Sequence, residues 1–201
     1  SFWDNAVYHT GNMEVCALTG NKDYLQYSID WADYNQWKGA TSNNKAEWRS
    51  TYGESPEYVL FGDWQVCFQT YADLYKLDPD TIKIARAREV MEYQMSTSKL
   101  DYWHWVDALY MVMPVMVKMY DITKNPLYLE KLHQYLTVTD SIMYDREVGL
   151  YYRDAKYPYP FHKTINGKKD FWSRGDGWAF AAFAKVLKQL PAEDKYHEEY
   201  I

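Results

Sequence analysis

Apolar residues recur along this chain at intervals of three and four almost from end to end, and strict alternation is nearly confined to "GLYYRDAKYPYPF" at 149–161. That rhythm predicts an all-α fold, with helices over about 2–19, 22–37, 62–77, 80–97, 102–122, 125–144 and 171–190, and an eighth starting near Glu193. The breaks "LTGNKDYL" at 18–25, "KLDPDTI" at 76–82 and "DITKNPLYL" at 121–129 each put turn formers directly before a new apolar run. Pro79 and Pro126 suit a first helical turn, where a missing N–H costs nothing. Such short connections make consecutive helices antiparallel. Segments 38–61 and 145–170 are instead long, rich in Gly, Ser, Asn, Pro and Tyr, and link one hairpin to the next, as loops that carry binding residues often do.

A hairpin repeat of roughly fifty residues implies a solenoid or a ring of hairpins, in which alternate helices share a direction. The first, third, fifth and seventh helices would then open at one end, with "FWDNAVYH", "FGDWQVCF", "YWHWVDALYM" and "FWSRGDGW" facing one space. Each opening combines Trp with an acid. Singly, such a pair reads as core filler plus a helix-capping acid. Four in parallel point to a carbohydrate site, since indoles stack on sugar faces and carboxyls handle the glycosidic or enolic oxygen.

Composition narrows the classes. The 201 residues suffice for one domain with a sizeable core, and the aromatic share of 18% is high. A net charge of -6 leaves no basic stripe for a phosphate backbone, so nucleic acid is not an expected partner. Cys16 and Cys67 lack metal-ligand spacing and read as buried free thiols. The apolar run 102–120 is interrupted by His104, Asp107, Pro114 and Lys118, so it reads as a buried helix rather than a membrane span. The five histidines form no HxxxH or HxH pattern, and neither a phosphate-binding glycine loop nor GxSxG is present. No metal is indicated.

On a helix over 102–122, Asp107 would share a face with Trp103, His104, Tyr110 and Met111. A carboxyl deprived of water holds its proton, which makes Asp107 a candidate general acid; the alternative is an acid bonded to a neighbouring helix for packing. Pro114 should bend that helix. Asp63 occupies the matching opening, where it is either a helix-start acid or the partner that splits the two pKa values. In "FWSRGDGW" the Arg174 fork suits a uronic acid carboxylate, unless it pairs with Asp176. Arg153, Lys163, Lys168 and Lys169 give the preceding loop a basic cast, most of it solvated surface.

With "GDWQ" at 62–65, "WVDALYM" at 105–111 and "FWSRGDGW" at 171–178 in this order, the chain resembles the unsaturated rhamnogalacturonyl hydrolases of glycoside hydrolase family 105, relatives of the family 88 unsaturated glucuronyl hydrolases. The resemblance implies a helical-hairpin toroid, an (α/α)6 barrel with its site at the mouth of the inner helices. About three and a half hairpins would lie within 1–201, so the single barrel domain is expected to be incomplete here and able to self-associate through uncovered apolar faces. By the same resemblance Asp107 is the general acid/base and Asp63 the second acid, with Trp105, Met111, Arg153, Trp172, Arg174 and Trp178 as substrate contacts. The implied reaction is hydration of the C4–C5 double bond of a 4,5-unsaturated uronic acid at the non-reducing end of lyase-generated oligosaccharides, such as unsaturated galacturonyl-rhamnose, without a cofactor. Another (α/α)6 sugar enzyme, an epimerase or ordinary glycosidase, and a non-catalytic helical-repeat binding protein are the alternatives. Relatives occur in bacterial cytoplasm and periplasm, and the residues do not choose between them.

Overall fold

The computed structural model describes residues 2–201. Its helices are α1 (Trp3–Thr19), α2 (Lys22–Tyr34), α3 (Cys67–Leu77), α4 (Ile82–Ser96), α5 (Asp107–Thr123), α6 (Leu127–Met143) and α7 (Ser173–Leu187). Two short strands, β1 (Tyr144–Asp145) and β2 (Leu150–Tyr151), pair antiparallel with Tyr144 opposite Tyr151. The all-α reading holds. The expected helix from Glu193 is instead a short 3-10 turn at His197–Tyr200.

The hairpin turns are stabilised alike. Asn21 accepts the Asp23 N–H at 2.9 Å, Asp80 the Ile82 N–H at 3.1 Å, and Asn125 the Leu127 N–H at 3.1 Å, each satisfying a donor that a helix start leaves open. Gly20 closes α1 in the left-handed region at φ 68, returning its N–H to Cys16 O at 2.8 Å. Helix α2 stops at Tyr34 rather than at 37, because Gln36 and Trp37 take positive φ and the Trp37 ring turns into the core.

Helices α1, α3, α5 and α7 pack in that order, with α2, α4 and α6 as the antiparallel partners of the first three. Side chains of α1 and α7 also meet: Trp3 lies edge-on to Trp178 at 6.5 Å near the helix starts, and Lys188 Nζ is 3.1 Å from Glu14 near their far ends. The row is therefore curved, with all four starts at one end. Helix α5 is its centre. Leu109, Val112, Met113, Val115, Met116, Val117 and Met119 are fully buried, each stabilising by roughly 1.5–3 kcal/mol relative to exposure. The helix continues through Pro114, where packing outweighs one lost backbone bond. Both cysteines are free, Cys67 buried and Cys16 half-buried. No described helix is long and apolar enough to cross a membrane.

Candidate active site

The two acids arrive by unlike routes. Asp63 sits in a 3-10 turn, Gly62–Trp64, ahead of α3 rather than in a continuous helix from 62. Asp107 is the first residue of α5, so the expected helical face with Trp103 and His104 does not form. Residues 101–106 lie outside the helix instead: Trp105 bridges Asp154, Val106 N–H donates to Arg153 O at 3.0 Å, and Trp103 O accepts Thr139 Oγ1 at 3.0 Å. An aromatic run reads as buried helix because a buried non-helical segment carries the same apolar density.

Both carboxyls are shielded. Asp63 is 8% exposed, and its pKa is pushed up to about 7, first by burial and then by the charge of Asp107. Burial likewise raises Asp107, against the opposing pull of a backbone hydrogen bond, a hydrogen bond with Trp105 and the cations Arg174 and Arg153. The α5 start itself favours a carboxylate, but such an end effect is worth only about 0.3–1 kcal/mol, and desolvation wins. Asp107 Oδ2 is buried with no hydrogen-bond partner among the described residues, a setting that suits a protonated acid. Two acids whose pKa values are both raised by burial can exchange a proton with a substrate.

A cavity of about 420 Å3 opens beside them, lined by Trp105, Arg153, Tyr157, Asp170, Phe171, Trp172 and Arg174. Arg174 lies 4.5 Å from the Trp172 ring and forms no ion pair among the described residues. Asp176 instead accepts the Tyr151 N–H at 2.8 Å, which ties α7 to β2 and leaves Arg174 open to solvent. Trp105, Arg153, Trp172 and Arg174 thus line one cavity, and the two arginines act on Asp107. Met111 and Trp178 do not join them: Met111 is 1% exposed, and Trp178 packs on Tyr110 at 4.7 Å and on Trp3. Tyr157, Asp170 and Phe171 were not singled out individually by sequence, although Tyr157 and Asp170 belong to the long loop 145–170 and Phe171 opens the motif "FWSRGDGW". Among the described residues, no three His, Cys, Asp or Glu side chains gather to hold a metal ion.

Comparisons with known proteins bear on the family and the fold. An unsaturated 3S-rhamnoglycuronyl hydrolase of Formosa agariphila is 26% identical over 98% of this chain and 53% of its own length. A solved chain titled a polysaccharide lyase superposes with a TM-score of 0.98 at 71% identity, covering 100% of this chain and 56% of that one. A family 105 glycoside hydrolase from C. acetobutylicum shares the fold at TM-score 0.71 and 20% identity, over 99% of this chain and 56% of its own. The chain spans about half the length of the relatives it matches. The profile of Glycosyl Hydrolase Family 88 matches residues 2–201, and the chain belongs to that family.

Proposed function

We propose that this site hydrates the C4–C5 double bond of a 4,5-unsaturated uronic acid at the non-reducing end of an oligosaccharide. The observation that carries the reading is the coupled, water-poor pair Asp63 and Asp107, with Arg174 and Arg153 acting on Asp107 beside an indole-lined cavity. Asp107 delivers its proton to C4. Water adds at C5 and returns a proton to the carboxylate. The resulting hemiketal opens to a C5 ketone, and the hemiacetal left at C1 collapses to an aldehyde, releasing the neighbouring sugar as an alcohol. Arg174 holds the uronate carboxylate, while Trp105 and Trp172 stack on the ring. Asp63 keeps the proton on the pair through like-charge coupling.

The conjugated enol ether absorbs in the ultraviolet, so turnover erases that band. Wild-type protein should bleach it on an unsaturated galacturonyl-rhamnose, and Asp107→Asn should lower the rate by at least about a hundredfold while still binding the sugar. A wild type that leaves the band untouched on every unsaturated uronide ends the proposal. The name of the 71% identical chain favours one second reading, β-elimination by a lyase. That reaction creates the same chromophore, so absorbance would rise on an intact polyuronide instead of falling on its fragments. Expressed alone, the chain should also self-associate, because Phe180 on α7 is 80% exposed and Leu18 on α1 is 84% exposed. Sedimentation velocity showing only monomer would remove that expectation.

A further inference from the structure

Pro114 lies inside α5 and has no N–H, so the carbonyl four residues before it, Tyr110 O, lacks the partner that an α-helix would supply. The side chain of Gln69 on α3 takes that place. Its Nε2 donates to Tyr110 O at 2.7 Å and to Met111 O at 3.3 Å, and the residue is wholly buried. Lys185 on α7 holds the amide in that orientation, because its Nζ donates to Gln69 Oε1 at 3.2 Å while lying 5.1 Å from the Tyr110 ring. Asp73, Glu14 and Lys188 are the charges that act on this ammonium, and Lys118 is paired to Asp73. Tyr110 also shares a hydrogen bond with Thr10 on α1, at 3.0 Å between the oxygens, and its ring meets Trp178 of α7 at 4.7 Å. All four parallel helices therefore converge on one residue, a single turn below Asp107.

The heads of α3 and α5 carry the two acids. Asp63 precedes α3 in the turn Gly62–Trp64, and that turn rests directly on α5: a Cβ at Gly62 would stand 3.3 Å from Val112 Cγ2 and 3.4 Å from Ala108 Cα. How α3 lies along α5 thus sets how much water reaches Asp63 and how near Asp107 stands to it. Apolar packing draws the helices together without direction, whereas a hydrogen bond to one particular carbonyl weakens steeply outside a narrow range of distance and angle, and so fixes the register. Resting on the hydrolase reading above, we propose that Gln69 is a positioning residue for the reaction: by replacing the hydrogen bond that Pro114 removes, it fixes the start of α5, and with it Asp107, against Asp63. Lys185 acts one step further back, by orienting the Gln69 amide. Neither side chain lines the cavity.

The test uses the protein in its full-length form and two readouts, well below its melting temperature: turnover of an unsaturated uronyl disaccharide, followed by loss of the ultraviolet band, and titration of Asp63, followed by carboxyl carbon NMR with Asp63→Asn assigning the signal. Gln69→Leu keeps most of the volume and loses the donor. It should lower kcat by at least about tenfold while KM stays within about twofold, and should bring the Asp63 midpoint down from about 7 by at least about one pH unit as water enters. Pro114→Ala returns an N–H to Tyr110 O, so Gln69→Leu/Pro114→Ala should regain most of both losses, by more than Pro114→Ala alone changes the wild type. Lys185→Met should move both readouts in the same direction by less. A folded Gln69→Leu with the wild-type kcat or the wild-type midpoint overturns the proposal, and so does a loss that Pro114→Ala leaves unrepaired. If Gln69→Leu does not fold, the double variant and Lys185→Met decide: a double variant that also fails to fold, or wild-type values in Lys185→Met, overturns it. Wild type that turns over no uronide, with a midpoint that still falls in Gln69→Leu and returns with Pro114→Ala, overturns the hydrolase reading alone.

Discussion

Asp63 and Asp107 each occupy a position where a carboxylate loses more hydration than its neighbours return. For Asp63 the folded pKa is about 7 against an ordinary 3.8, and Asp107 is raised as well. Between those limits the folded protein binds more protons than the unfolded chain. The Asp63 contribution is therefore complete below about pH 4 and is lost as pH climbs through 7, and that of Asp107 likewise falls as pH rises. Asp63→Asn, which stays neutral, should flatten the fall in melting temperature between about pH 5 and about pH 8, regaining up to about 4 kcal/mol at the higher pH. A variant as pH-sensitive as wild type would contradict the burial argument. At this scale much was legible in the sequence: an acid among aromatic residues invites a raised pKa, and a repeated Trp-plus-acid opening invites convergence. Met111, carried over as a substrate contact by the family resemblance, shows where such a transfer stops, because a motif position does not tell whether a side chain faces a cavity or the core. The structure buries it.

Helix starts matter here more than helix bodies. Periodicity located all seven α-helices of the described residues, yet it ran α5 back to 102 and α3 back to 62, since buried non-helical residues and 3-10 turns are as apolar as the helices they precede. The α7 start depends on a close approach. A Cβ at Gly175 would stand 2.6 Å from Val106 Cγ1 and 2.7 Å from Trp172 Cε3, so only glycine lets α7 lie this near the residue preceding Asp107. Alanine normally gains about 1 kcal/mol over glycine within a helix, but overpacking costs about 1–3 kcal/mol. Gly175→Ala should therefore lower stability slightly in thermal denaturation. It should also reduce kcat/KM by at least about tenfold, because the displaced Trp172 carries the Arg174 guanidinium with it. A variant that melts higher at full activity would show that this contact is not tight.

Across the whole molecule, the far ends of the four parallel helices carry a second polar layer. Lys118 on α5 is 6% exposed and ion-pairs with Asp73 on α3; Lys185 on α7 donates to Gln69 at 3.2 Å, and Lys188 reaches Glu14 on α1. Asp73→Ala leaves Lys118 buried without its partner and should cost roughly 3–5 kcal/mol, whereas Asp73→Leu with Lys118→Met should recover most of that loss in denaturant unfolding. If the single and double variants are equally unstable, the pair does not tie α3 to α5. None of these long-range pairs was readable from the chain, because Lys118 lies 45 positions from Asp73 and no local pattern links them. What the sequence determined by itself was local: helix periodicity, turn chemistry, the hairpin rhythm and the residue types at each opening, all governed by interactions within a few residues. Which side chains meet was decided only by the tertiary structure. Burial of the Asp63 and Asp107 carboxyls, the stacking of Arg153 and the release of Arg174 from Asp176 all depend on groups brought together across the fold, where shielding from water sets the chemistry.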